Sequence, residues 1–139
     1  MKTPHILLVD DSDDDVELAQ RLIRKFAPEA LQSVAIDGVQ ALEMLHATEG
    51  KRLVPDVILL DLKMPRLDGA DVLKALRADP STQRIPVVMF TSSNERSDVL
   101  RCYALGANSY VQKPVNFDEY ETALGLVVHY WLRLNQLTD

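Results

Sequence analysis

The sequence predicts an α/β domain, one parallel five-stranded sheet with helices on both faces. Three observations lead there. Short apolar runs alternate five times with amphipathic segments of helical period. Several runs are apolar without alternation, as strands covered on both faces must be. The 139 residues suffice for one domain and hardly for two.

His5 to Val9 is the first apolar run, Val57 to Leu60 the third and Ile85 to Phe90 the fourth. Leu31 to Ile36 alternates more, as an edge strand would, and the short Asn108 to Val111 supplies the fifth strand. In the first helix Val16, Ala19, Ile23 and Phe26 share a face. Asp37 opens the second, with Gln40 three residues on as in a capping box, and Leu42 and Leu45 face inward. Val72, Leu73 and Leu76 do so in the third, which Pro80 follows. Val99, Leu100 and Tyr103 mark the fourth. In the fifth, capped by Asn116 with Glu119, the inward stripe is Phe117, Tyr120, Leu124, Val127 and Trp131. Strand and helix thus alternate throughout, which implies right-handed crossovers and a single doubly covered sheet. Glu49 to Pro55 reads as a loop, and no repeat or linker divides residues 1–139.

Composition narrows the function. The net charge is −6, so the basic footprint of a nucleic-acid binder is missing. No apolar run approaches the roughly 20 residues that span a bilayer. The N-terminus lacks a secretory layout, and Cys102 is unpaired, so the expected compartment is the cytoplasm. His5, His46 and His129 lack metal-ligand spacing.

The chemistry lies at the strand ends. The first strand ends in Asp10 and Asp11, the third in Asp61, the fourth in Thr91 and Ser92, and the fifth runs into Lys113 and Pro114. In an open α/β sheet, sites form outside the carboxyl ends of the strands. Three carboxylates, a hydroxyl and an ammonium therefore converge from distant parts of the chain. Clustered carboxylates repel unless compensated. A hard divalent cation such as Mg²⁺, with oxygen ligands, is the natural compensation. A carboxylate left free of tight chelation can act as a nucleophile toward phosphorus. Asp13, Asp14 and Asp15 read as first-turn acids favoured by the helix dipole, with Ser12 as N-cap.

These motifs, Asp10-Asp11 after an apolar strand, Asp61 in LLDLKMP with Gly69 downstream, Thr91 in VVMFTS and Lys113-Pro114 in YVQKP, resemble response-regulator receiver domains over essentially the whole chain. The resemblance implies a flavodoxin-like (βα)5 fold with strand order 2-1-3-4-5. It implies that Asp61 is the phosphoacceptor and that Asp11, Asp61 and the backbone carbonyl of Lys63 are Mg²⁺ ligands, with Asp10 acting through a water. It implies that Lys113 binds the phosphoryl group, that a cis peptide precedes Pro114, and that Thr91 and Tyr110 form the switch. Lys63 and Ser92 depart from the commonest residues at their positions, which bears on phosphoryl lifetime and on exchange with small phosphodonors.

A second apolar face of the fifth helix, Leu126, Tyr130, Leu134 and Leu137, together with Trp131, suggests a partner surface within residues 116–137. This tail resembles that of stand-alone receivers paired with bacterial phytochrome kinases. The expected partners are a sensor histidine kinase, a second copy meeting the fourth- and fifth-helix face and the tail, and a downstream phosphotransfer or effector protein. An enzyme acting on a separate substrate is not expected. A haloacid-dehalogenase-type phosphatase needs a second Asp two residues after the nucleophile, where this chain has Lys63. A flavodoxin needs a hydroxyl-rich phosphate loop, where this chain has Asp10 to Asp15.

Overall fold

A computed structural model of the chain describes residues 2–46 and 52–138. The strands are His5–Val9 (β1), Leu31–Ala35 (β2), Val57–Leu60 (β3), Val87–Thr91 (β4) and Ser109–Gln112 (β5). The helices are Asp13–Phe26 (α1), Gly38–Leu45 (α2), Gly69–Ala78 (α3), Arg96–Ala104 (α4) and Phe117–His129 (α5). All strand pairs are parallel, in the order β2-β1-β3-β4-β5, as expected from the sequence. Part of the expected loop from Glu49 to Pro55 lies outside the described residues.

The side-chain period of a strand sorts the sheet's residues onto two faces. Leu7, Val9, Ile58, Leu60, Val87 and Met89 pack with α2, α3 and Cys102 of α4. Ile6, Leu8, Val57, Leu59, Val88 and Phe90 pack with α1 and α5. Because β3 and β4 are buried on both faces, they are apolar throughout save Thr91, the last residue of β4. Helix starts other than that of α4 obey local capping. Ser12, Asp37, Asp68 and Asn116 each accept the backbone N–H of the third residue of their helix. At α2 the Gln40 amide oxygen reaches back to the backbone of Ile36 instead of Asp37, so the box closes one residue early.

Two helices sit differently from their apolar pattern. In α4 the buried residues are Asp98 and Cys102, while Leu100 and Tyr103 are exposed. Asp98 is drawn inward by hydrogen bonding with the Ser93 hydroxyl and by Lys63, which rotates the apolar side chains outward. In α5 Phe117 is exposed and the inward stripe is Tyr120, Leu124, Val127, Val128 and Leu132. The helix widens into a π turn over Tyr130–Leu134, closed by the Asn135 amide on the Tyr130 carbonyl at 2.6 Å. The extra residue per turn makes Leu132 the fully buried position, while Trp131 packs half-buried against the same cluster.

The helix stops at Leu134, short of residue 137. Asn135 is extended, and Lys2 Nζ donates to the Thr138 carbonyl, so the last residues lie back against the domain's own N-terminus. Leu137 is therefore half-buried beside that segment, off the face formed by Leu126, Tyr130 and Leu134.

Candidate functional site

The sheet carries the site residues by continuing its hydrogen-bond ladder one step past the strand ends. Asp10 N donates to the Ala35 carbonyl at 3.1 Å, Asp61 N to Val9 at 2.9 Å and Lys113 N to Thr91 at 2.7 Å. Each residue is thus held by the neighbouring strand rather than by a free loop, and their side chains meet above the carboxyl edge. Oxygens of Asp10, Asp11 and Asp61 all lie within 4.8 Å of one another. Asp11 is exposed, Asp61 half-buried and Asp10 almost buried.

Lys113 crosses from β5 to this cluster with 6 % of its side chain exposed. Its ammonium donates to Asp10 Oδ2 at 2.7 Å and Asp15 Oδ2 at 3.0 Å, and stands 3.8 Å from Asp61 Oδ2. Burial alone would lower the Lys113 pKa, but the Asp10 hydrogen bond, the Asp61 and Asp10 charges and Asp15 outweigh it and hold it above the usual lysine value. Asp61 moves the other way for a carboxylate. Burial raises it and the Asp10 charge adds to this, while Lys113, the Thr91 hydroxyl and the Leu62 amide pull it partly back.

The loop from Leu62 to Asp68 walls the site. The Gly69 amide closes it on the Leu62 carbonyl at 2.8 Å. A side chain at Gly69 would meet the Asp61 carbonyl oxygen at 2.3 Å, so the residue type is dictated by contact. Arg66 at the loop's tip adopts a left-handed backbone (φ 63°) and pairs with Asp37 at 2.7 Å. On the other side Thr91 is fully buried. Tyr110 Oη donates to the Ser93 carbonyl at 2.9 Å, and its amide donates to Tyr103 Oη at 3.1 Å. Tyr110 therefore spans β5, α4 and the loop after Thr91. Lys63 Nζ reaches Asp98 at 3.2 Å, linking the loop after Asp61 to α4.

The Lys113-Pro114 peptide is trans, in place of the expected cis bond, and no cis peptide occurs among the described residues. Trans is the lower-energy isomer, and here the Lys113 amide is held by Thr91 while its ammonium still reaches Asp10, so the site closes without it.

Sequence reasoning missed Asp15, read only as a helix-dipole acid. The signal was present: Asp15 lies four residues before Ala19 and eight before Ile23, on the buried stripe of α1, unlike Asp13 and Asp14. It also missed the Asp98–Ser93–Lys63 cluster, for which no sequence signal exists, because it depends on how α4 rotates.

A model of the response regulator receiver domain matches residues 6–125. The chain belongs to the response-regulator receiver family. Curated relatives agree. The receiver is 33 % identical over 132 residues to the probable methanogenesis regulatory protein FilR2 of Methanothrix harundinacea (strain 6Ac), covering 94 % of this chain and 85 % of that one. It is 33 % identical over 130 residues to the response regulator Rcp1 of Synechocystis, covering 91 % and 88 %. The receiver fold superposes on the phosphorylated cyanobacterial phytochrome response regulator RcpA with a TM-score of 0.91 at 30 % identity, covering 99 % of this chain and all of that one. The Mn²⁺-bound form of Rcp1 matches with a TM-score of 0.90 at 31 % identity over 98 % and 99 % of the two chains. The receiver has the flavodoxin-like order expected from its motifs and is a signalling protein of the two-component type. Among the described residues no helix is long and apolar enough to cross a membrane.

Proposed function

We propose that this receiver accepts a phosphoryl group from a sensor histidine kinase on Asp61, in a Mg²⁺-dependent reaction, and that this switches a protein-binding face. The observation that carries the reading is the meeting of Asp10, Asp11 and Asp61 within 4.8 Å, with Lys113 Nζ 3.8 Å from Asp61. The donor set is all oxygen, which suits a hard cation, and the relative Rcp1 has a Mn²⁺-bound form. Asp11, Asp61 and the Lys63 carbonyl would hold Mg²⁺ directly and Asp10 through water. Bound there, the ion would neutralise oxygens of the transferred group and keep Asp61 ionised.

The chain's own residues supply the rest. An Asp61 carboxylate oxygen forms the new O–P bond as the P–N bond to the kinase histidine breaks, and the electron pair leaves on that nitrogen. Lys113, already cationic and poised 3.8 Å away, meets one phosphoryl oxygen, and the buried Thr91 hydroxyl meets another. Drawing Thr91 toward the phosphoryl group frees space beside Tyr110. Breaking the Tyr110–Ser93 bond lets the ring turn inward, which repacks α4, β5 and α5 as a shift between two populations. The only catalysis is on its own aspartate, so the receiver is not an enzyme for a separate substrate.

The output face is read as a contact with a second copy. Leu126, Tyr130 and Leu134 stand exposed at four-residue spacing on α5 and its π turn, with Leu100 and Tyr103 exposed on α4. Trp131, edge-on to Tyr130 at 4.9 Å between centroids, stiffens this patch, and Leu137 flanks the tail. The expected upstream partner is a phytochrome-type kinase, because RcpA is a phytochrome response regulator, and the expected setting is the cytoplasm. A downstream phosphotransfer or effector protein completes the relay.

The test is Mg²⁺-dependent labelling by radioactive acetyl phosphate or by a histidine kinase. The wild type takes up base-labile label, EDTA prevents it, and Asp61→Asn takes up none. Persistent label in that variant would place the phosphoacceptor elsewhere.

A further inference from the structure

Beneath the acidic cluster, between the sheet and α1/α5, lies a small cavity lined by Asp10, Asp15, Asp61, Phe90 and Tyr120 among others. Its volume is about 10 Å³. That is roughly what one water molecule needs, provided polar partners are in reach. Tyr120 is 95 % buried, being 5 % exposed, and its hydroxyl has no hydrogen-bond partner among the described residues. Burial pushes that hydroxyl up to about 12, so at neutral pH it is a neutral donor. The ring is held edge-on to Phe90 at 5.4 Å, and Phe90 in turn lies 5.8 Å from Lys113 Nζ. A buried donor facing a one-water space walled by carboxylates is more than core packing requires. Phenylalanine would fill the same ring position.

We infer that Tyr120 is a positioning residue of the phosphorylation site, acting through one ordered water seated between its hydroxyl and the carboxylates of Asp10 and Asp15. The inference rests on the reading of Asp61 as phosphoacceptor. The Tyr120 hydroxyl donates to the water, which donates in turn to the carboxylates that hold Lys113 at 2.7 and 3.0 Å. Hydrogen bonds to a carboxylate weaken its hold on a neighbouring cation. The water therefore eases the release of Lys113 from Asp15 toward an incoming phosphoryl oxygen. Asp15, with 40 % of its side chain exposed, is the weaker of the two anchors and the one that must let go.

The experiment compares full-length wild type, Tyr120→Phe, Asp15→Asn and the double variant. Labelling by acetyl phosphate with Mg²⁺ is followed to saturation, so that donor binding separates from the transfer step. Tyr120→Phe keeps the ring, and its melting point should stay within a few degrees of wild type. Its maximal transfer rate should fall about fivefold, the rate equivalent of one hydrogen bond, with half-saturation unchanged. In the Asp15→Asn background the same change should have no effect, because the anchor it loosens is gone. A wild-type rate in Tyr120→Phe overturns the inference. So does an equal slowing in both backgrounds, which would reveal packing alone. A crystal structure of the metal-free protein gives a readout independent of labelling. A water within hydrogen-bond reach of Tyr120 Oη and of Asp10 or Asp15 is expected, and a dry cavity overturns the bridge. Absence of label in the wild type itself would instead remove the reading of Asp61, and this inference with it.

Discussion

Replacing Lys113 by methionine removes the ammonium but keeps most of the aliphatic stem that crosses Phe90. The stability cost in metal-free protein follows from its contacts. The bond to Asp10 is charge-assisted at 2.7 Å, with 12 % of the Asp10 side chain exposed, and such a bond contributes ~1.5–3 kcal/mol. Asp15 is 40 % exposed, so its pairing is discounted to at most ~1 kcal/mol. Asp61 at 3.8 Å adds attraction without a hydrogen bond. The expected loss is ~2–4 kcal/mol, less than for a fully buried pair because water reaches the freed carboxylates. Urea denaturation in EDTA and again in saturating Mg²⁺ measures it. With Mg²⁺ present the difference should shrink below ~1 kcal/mol, because the ion compensates the same acids. The pH dependence has a definite sign. Lys113 has a folded pKa above its ordinary 10.5, so its contribution is complete below that pH and fades only as pH rises past it. The gap between the two proteins should therefore be flat from neutral pH to about 10. A Lys113→Met protein as stable as wild type in EDTA, or equally destabilised with and without Mg²⁺, would refute the account of Lys113 as the counter-charge of the cluster.

Other outcomes follow from the same geometry. Asp61 titrates above its ordinary value when folded, so its ionised form costs stability above that range. Asp61→Asn should therefore melt higher than wild type in EDTA at neutral pH, with the gain fading as pH falls toward 3.8 and Mg²⁺ reversing it. Gly69→Ala places a methyl 2.3 Å from the Asp61 carbonyl oxygen, where backbone must move. It should lower stability by ~1–3 kcal/mol in urea melts and slow labelling as well. Leu126→Asp with Leu134→Asp should leave the circular dichroism spectrum unchanged and reduce the light-scattering mass from dimer to monomer. A wild type already monomeric at concentrations of about 100 μM would count against a second copy as the partner.

The parts of this fold legible in the sequence are those set by period and burial. Doubly buried β3 and β4 announce themselves as unbroken apolar runs, and alternation with helices makes the sheet parallel; the order of its strands comes only from the resemblance of the motifs to the receiver family. Asp10, Asp11, Asp61, Thr91 and Lys113 could be placed together because each lies at or just past the carboxyl end of a strand, and parallel strands bring those ends to one edge. What could not be read depends on rotation about a helix axis. Leu100 and Tyr103 outbid Asp98 on any hydrophobicity scale, yet Asp98 is inside, because one hydroxyl and one ammonium in the adjacent loops satisfy it. Trp131 yields the fully buried place to Leu132 through a single π turn and packs half-buried beside it, a change of one residue that no pattern of period 3.6 registers.

Those same unreadable features sit on the face that the proposed switch would repack. An α4 seated on a buried, hydrogen-bonded aspartate is easier to displace than one seated on leucine. Its inward contact can be exchanged for water or for another polar group at little cost, whereas an apolar contact would have to be remade elsewhere. Lys63 joins that aspartate to the loop after Asp61, and Tyr110 joins the next loop to β5 and to Tyr103 of α4. A phosphoryl group on Asp61 would compete with Asp98 for Lys63, draw Thr91 inward and loosen α4 from both sides. On the proposed function, the weak apolar seating of this helix is what would let a charge on one side chain move a whole surface.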